Sequence, residues 1–240
     1  ALTVDQLEAL TTAQAAALTA TQVAALTTTA IAAIEDVDFA AISTAAIKGL
    51  SVAQVGALTA NQVAALTSAQ IGAMDAVDVA ALSTSSIAAL STLQIGALTA
   101  AQIKVLTTAQ IAAIDDASLA VLSPSTIAGL TTAQIRALTN DQLVALTTAQ
   151  AAALGAAQVA ALTTDQVAAL EQTRQELAQG AIAQTPVEGA GAGIEHGVAG
   201  AWLQGIAQVL SQLAEFPRLE LGGAHFPGGG DTQGDQRDQQ

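Results

Sequence analysis

Residues 107–138 read TTAQIAAI (Thr107–Ile114), DDASLAVL (Asp115–Leu122), SPSTIAGL (Ser123–Leu130) and TTAQIRAL (Thr131–Leu138). Each block of eight opens on a hydroxyl or an acid. Each places an aliphatic residue at positions five and eight and a small one at seven. Extended outward, the register holds from Thr3 to Leu170, 21 consecutive octads without an insertion. The consensus is [ST]-x-x-Q-[VI]-A-A-L. Position one is Ser or Thr in 17 copies, position four is Gln in 14, and position eight is Leu, Ile or Met in all. Position five is aliphatic or Phe39 except at Ala15 and Ala151. Cations enter at position six, as Lys48, Lys104 and Arg136. That position is therefore expected to face water, with five and eight facing inward.

One continuous helix does not fit this repeat. Eight residues at about 100° each rotate the apolar stripe by roughly 80° per copy, so it would wind around the rod and no partner could cover it. A strand fares no better, since Ala, Gln and Leu are poor strand formers and alternation is missing. What remains is a short helix per octad followed by a reset of the chain. Ser or Thr at position one with Gln at position four spells a capping box, which satisfies backbone N–H groups at a helix start. Pro124 follows Ser123, at the first helical position, where a missing N–H does no harm. Asp75 and Asp115 are expected to act as N-caps as well. A helix of five or six residues is unstable alone, because nucleation is never repaid. The octads must stack, and the fold class is an all-α solenoid of short capped helices.

A longer period is superposed. The octads that do not open on Ser or Thr open on Glu35, Asp75, Asp115 and Gly155, each five octads after the last. Five octads thus make a 40-residue module, expected to lie near one superhelical turn.

Composition narrows the function. The 240 residues are 52% hydrophobic but only 2% aromatic, with no Tyr and one Trp, so the core must be thin layers of Leu, Ile, Val and Ala. Cys is absent, which removes disulfides, thiolate metal sites and Cys nucleophiles and leaves the compartment open. The net charge is −14, with six Lys and Arg scattered singly, which excludes nucleic acid as a partner and disfavours an anionic membrane surface. Polar residues interrupt the apolar runs within every octad, so no membrane insertion is expected. The opening ALTVDQLEAL has no basic n-region of a signal peptide.

The chain divides into the octad solenoid with a C-terminal capping helix at 1–184, a Gly/Pro-rich linker at 185–197, an amphipathic helix with a short extended segment at 198–226, and a disordered tail at 227–240. In the third of these, Trp202, Ile206, Val209, Leu210 and Leu213 share one helical face with Val198. That face is a candidate for partner binding or self-association, or for covering an open end of the solenoid.

Two further candidates arise within the solenoid. Asp36, Asp38, Asp78, Asp115 and Asp116 could line an edge and gather calcium through oxygen ligands. The plainer reading, and the favoured one, is that acids suit the caps and first turns of helices. The recurrent Thr pairs could order water or bind ice, although position one is committed to capping. His196 and His225 have no companion ligand, and GAGAG at 189–193 is neither a Rossmann fingerprint nor a P-loop. No cofactor, small-molecule substrate or catalytic arrangement is read from the chain.

Runs of the LTTAQIAALTTAQ type over residues 1–170 resemble Thr/Gln/Ala octad tracts of large secreted or surface repeat proteins of Gram-negative bacteria. The resemblance implies a spacer or adhesion role outside the cytoplasm. LTTDQVAAL at Leu162–Leu170 is also similar to the opening helix of a TAL-effector repeat. The second helix and base-reading loop are missing and the charge has the opposite sign, so nothing carries over from that family. The expectation is a non-enzymatic structural spacer or protein-interaction scaffold, secreted or on the cell surface. A secreted effector or secretion-apparatus component, and an ice-binding protein, are the alternatives.

Overall fold

A computed structural model describes residues 3–183. The linker expected at 185–197, the Trp202 helix, its extended segment and the tail lie outside the described residues. Among the described residues are 21 helices and no strand. The first twenty, from Val4–Glu8 to Ala156–Ala160, are four to six residues long, and each starts one residue after the first position of its octad. The octads therefore form helices one by one, as their caps require.

The caps are made as the residue types dictate. Thr99 Oγ1 accepts the Gln102 N–H at 3.3 Å, and Gln102 Oε1 accepts the Thr99 N–H at 2.8 Å, closing the box from both sides. The same pair of bonds forms at Ser51–Gln54, Thr67–Gln70 and Thr131–Gln134, among others. Ser123 Oγ accepts the Thr126 N–H at 3.1 Å with Pro124 next to it, and Asp115 Oδ1 accepts the Ser118 N–H at 3.0 Å. Asp75 corrects the sequence expectation, since its side chain makes no cap bond, and neither does Glu35. The residues that would offer the N–H are Asp78 and Asp38, so an acid stands at position four of these two octads where Gln completes the box in others. Between helices the chain resets through two extended residues, such as Leu66 (φ −60, ψ 147) and Thr67 (φ −73, ψ 155). Ordinary L residues reach these angles, which is why the octads end without Gly or Pro.

Position five is buried in every octad except at Ala151, and position eight is buried from Ile34 to Leu170, while Leu10, Leu18 and Leu26 in the first three octads are half-buried; Phe39 is fully enclosed. Every helix in the first eighteen octads packs against the helix three octads further on. The approach is close: a Cβ placed on Gly72 would lie 3.0 Å from the Ala97 carbonyl oxygen, and one on Gly49 would lie 2.9 Å from that of Ala20. Small residues at these contacts, Gly72 and Ala97, Gly49 and Ala20, let the turns meet backbone to backbone.

Position four supplies a second tie. The Gln102 carboxamide, while capping its own helix, donates through Nε2 to the carbonyl oxygens of Ile71 at 2.9 Å and Met74 at 2.8 Å. These are positions five and eight of the octad four copies earlier, at the C-terminal end of its helix, where carbonyls lack helical partners. Gln54, Gln62, Gln70, Gln94, Gln110, Gln134, Gln142, Gln150, Gln158 and Gln166 each reach the equivalent position-eight carbonyl, 28 residues back. Each such glutamine is buried.

Packing three octads away and hydrogen bonding four octads away place one superhelical turn between three and four octads. The expectation that a five-octad module lies near one turn is thereby corrected, because such a module overshoots a turn. At the far end, the helix begun at Thr164 runs on unbroken to Ala183. Glu171 stands where a capping Ser or Thr would reset the chain. It pairs instead with Arg174 at 2.8 Å, and Thr173 bonds back to the Ala169 carbonyl at 2.9 Å, both within one continuing helix.

Two comparisons test this construction by thermal or denaturant unfolding. Ala112→Pro, inside the helix Thr108–Ala112, should cost on the order of 3 kcal/mol, and Ser123→Ala about 1 kcal/mol through the lost cap; variants that melt with the wild type would show the octad helices to be misassigned. Gln22 caps Thr19 but donates to no other turn among the described residues. Gln22→Ala should therefore cost about 1 kcal/mol, whereas Gln102→Ala should cost about 2–3 kcal/mol more by stranding two carbonyls. Equal losses would remove the bridge from the account.

Candidate interaction surface

Because positions one and four are committed to the backbone and five and eight to the core, positions two, three and six make the outer face. Ala and Thr dominate it. Lys48, Lys104 and Arg136 are exposed at position six, as their residue type foretold. Against this background a few large apolar side chains stand in water, the most exposed being Val37 (60%), Val77 (62%) and Leu93 (80%) at position three, with Val52 at position two and Val105 and Val121 at position seven less so. Val37 and Val77 occupy the same place in successive five-octad modules. Position three varies too freely among the octads for them to have been singled out from sequence.

The five acids proposed as a calcium edge do not share one environment. Asp36 and Asp116 are exposed at position two, and Asp115 is occupied in its cap. Asp38 and Asp78 stand at position four, where they are 4% and 6% exposed. Among the described residues no group of three or more His, Cys, Asp or Glu side chains comes together as a metal would need. The two titration shifts follow these environments. The Asp115 carboxyl is held below the usual carboxylate range, chiefly by its hydrogen bond with the Ser118 side chain. That of Asp78 is pushed up, first by burial and then by the neighbouring charge of Asp75.

The Thr ladder is only partly free. At position one, hydroxyls such as Thr99 and Thr131 accept an amide proton and donate to the Gln Oε1 of the same octad, at 3.0 and 3.1 Å. Exposed threonines include Thr108 and Thr132 at position two and Thr21 and Thr29 at position three, whereas the position-two Thr92 hydroxyl accepts from that of Ser118 at 3.1 Å. Trp202, Ile206, Val209, Leu210 and Leu213, the proposed partner face, lie outside the described residues. The residue whose role sequence reasoning missed is the position-four Gln. Its capping half was read, but its bond to another turn was not. No helix among the described residues is long and apolar enough to cross a membrane.

Comparison with known proteins adds one finding. No curated protein and no solved structure matches the chain. A family model described as the ALTTAQ repeat matches residues 31–68, 71–108, 111–148 and 140–172. The first three matches each begin five octads after the one before, and the fourth overlaps the third. With more than half of its length matched, the chain belongs to the ALTTAQ repeat family.

Proposed function

We propose that the protein is a non-enzymatic structural spacer that also serves as a scaffold for protein contacts. The observation that carries this reading is the assignment of its polar side chains. The Thr and Gln of octad after octad are engaged with backbone, within a helix and between turns, so the repeat puts its chemistry into holding its own form. Such an array is lengthened by adding modules without redesigning a core, which is the property a spacer needs. Helices packed about 8–10 Å apart, at three to four octads per turn, give each five-octad module roughly 10–15 Å of length. The sparse outer face, with isolated valines and Leu93 among small and acidic residues, suits contact with a protein partner or with another copy. It offers little to a small substrate. The likeness to octad tracts of secreted and surface proteins supports a role outside the cytoplasm. A secreted effector presenting the same array to a protein partner is the nearest variant of the reading, and ice binding through the position-two threonines is the more distant one.

Duplication of residues 75–114 provides a direct test. Solution scattering should show a particle longer by roughly 10–15 Å, with unchanged helicity per residue. A chain that loses helix, or that does not lengthen, would contradict the spacer reading. Pull-down with the chain lacking residues 185–240 separates the contact surfaces. A partner retained by that variant is held by the solenoid, and one that is lost is held by the C-terminal residues. Thermal hysteresis at micromolar protein would instead support ice binding.

A further inference from the structure

We propose that Asp78 is a proton-operated latch: at the position where Gln ties a helix to an earlier turn, this acid fastens the turn when protonated and loosens it when ionised. Position four is the bridging position of the array, as the eleven glutamines that donate from it show. Asp78 occupies that position and is buried like the glutamines, at 6% exposure. Register sets it opposite the acceptors those glutamines use, the carbonyls of Ile47 and Leu50. A carboxamide brings two N–H donors to such carbonyls. A carboxylate brings none, and a carboxylic acid brings one. Being one methylene shorter than Gln, the acid reaches across by a slight approach of the turns or through a water.

The acid at position one adds to this. Asp75 makes no cap bond, so with Asp78 two acids occupy places that Thr and Gln fill in other octads. Ionising both Asp75 and Asp78 puts like charges together, one of them out of water, which favours keeping a proton on Asp78. The upward displacement of the Asp78 carboxyl by burial and by Asp75 agrees with this. The other charged groups around Asp78 are Lys48, in the octad four copies earlier, and Lys104, in the packed helix Ala100–Val105. Both are at position six and exposed to water. The helix Val52–Gly56, packed on its other side, carries no titratable group.

The sign follows from linkage. A carboxyl whose folded pKa is raised binds its proton more tightly when folded. Its contribution therefore favours folding in acid and is lost as pH rises from the ordinary 3.8 through the folded value. Asp115, lowered by its cap, works in the opposite sense and loses its contribution as pH falls through its folded value.

The test is thermal unfolding of the full chain between pH 4.5 and 8, wild type against Asp78→Gln, which restores the consensus residue. At pH 7.5 the Asp78→Gln variant should melt higher than wild type, and the gap should narrow as pH falls. Asp78→Asn, neutral and of the native length, should shift melting in the same direction. A gap of equal size at every pH, or both variants melting below wild type at pH 7.5, would overturn the proposal. Calcium chloride added at pH 7.5 should leave the wild-type melt where it is. A calcium-dependent rise that the variants lose would assign the acids to a cation and overturn the latch.

Discussion

A helix of five residues has more unsatisfied backbone groups than satisfied ones, and this protein is built around one side chain that answers both ends of that problem. The position-four Gln accepts from the start of its own helix through Oε1 and donates through Nε2 to the end of a helix four octads earlier. N-caps are common and C-terminal carbonyls are usually left to glycine turns or water. Here one carboxamide serves as the N-cap of one helix and the C-cap of another. The spacing of its two acceptors, 31 and 28 residues back, fixes the register between turns. The bonds are buried, so breaking one strands an acceptor away from water, which costs more than the bond itself contributes.

The hydrophobic layers are arranged around that tie. Each octad contributes only two sizeable apolar side chains, at positions five and eight, and Phe39 is the sole aromatic in the described core. No octad could hold itself together with so little. The layers become continuous because neighbouring turns come close, and they come close because position seven is Ala, Gly or an occasional Val in every octad and the backbones nearly touch, as at Gly72 and Ala97. Stability is therefore distributed along the array and not concentrated in one centre. It is also modulated along the array, since Asp38, Ala46, Asp78, Ser86, Ser118 and Thr126 stand where the bridge would be. Each module that opens on an acid thus carries octads without the tie as well as octads with it.

Much of this architecture was legible in the residues. The eight-residue register forces short helices, Thr99 and Gln102 announce the box they form, and the cations at position six mark the solvent face. The bridge was hidden for a definite reason. The capping box already accounts for a Gln at position four, so nothing in the pattern is left over to signal a second bond from its other atom. The turn was misjudged because five octads is the interval at which the module recurs in sequence, whereas the turn is set by how many helices close a ring. The two need not coincide. Since five octads exceed one turn, equivalent acids such as Asp38 and Asp78 do not stack into a column, and the proposed edge of carboxylates is not assembled. Asp75 was misread because its suitability as a cap was judged alone, without Asp78 at position four of the same octad.

The account makes every octad helix depend on a neighbour that arrives only after a turn has closed. Far-UV circular dichroism on a length series cut at octad boundaries, starting at Ser43 and ending at Leu66, Met74, Leu82 and then successive octads to Leu170, addresses this most directly. The account predicts almost no helix for three octads, where nothing yet stacks or bridges, and a steep rise once later octads have an earlier turn to bond. Helicity that is already present in three octads, and grows in simple proportion to length, would contradict it.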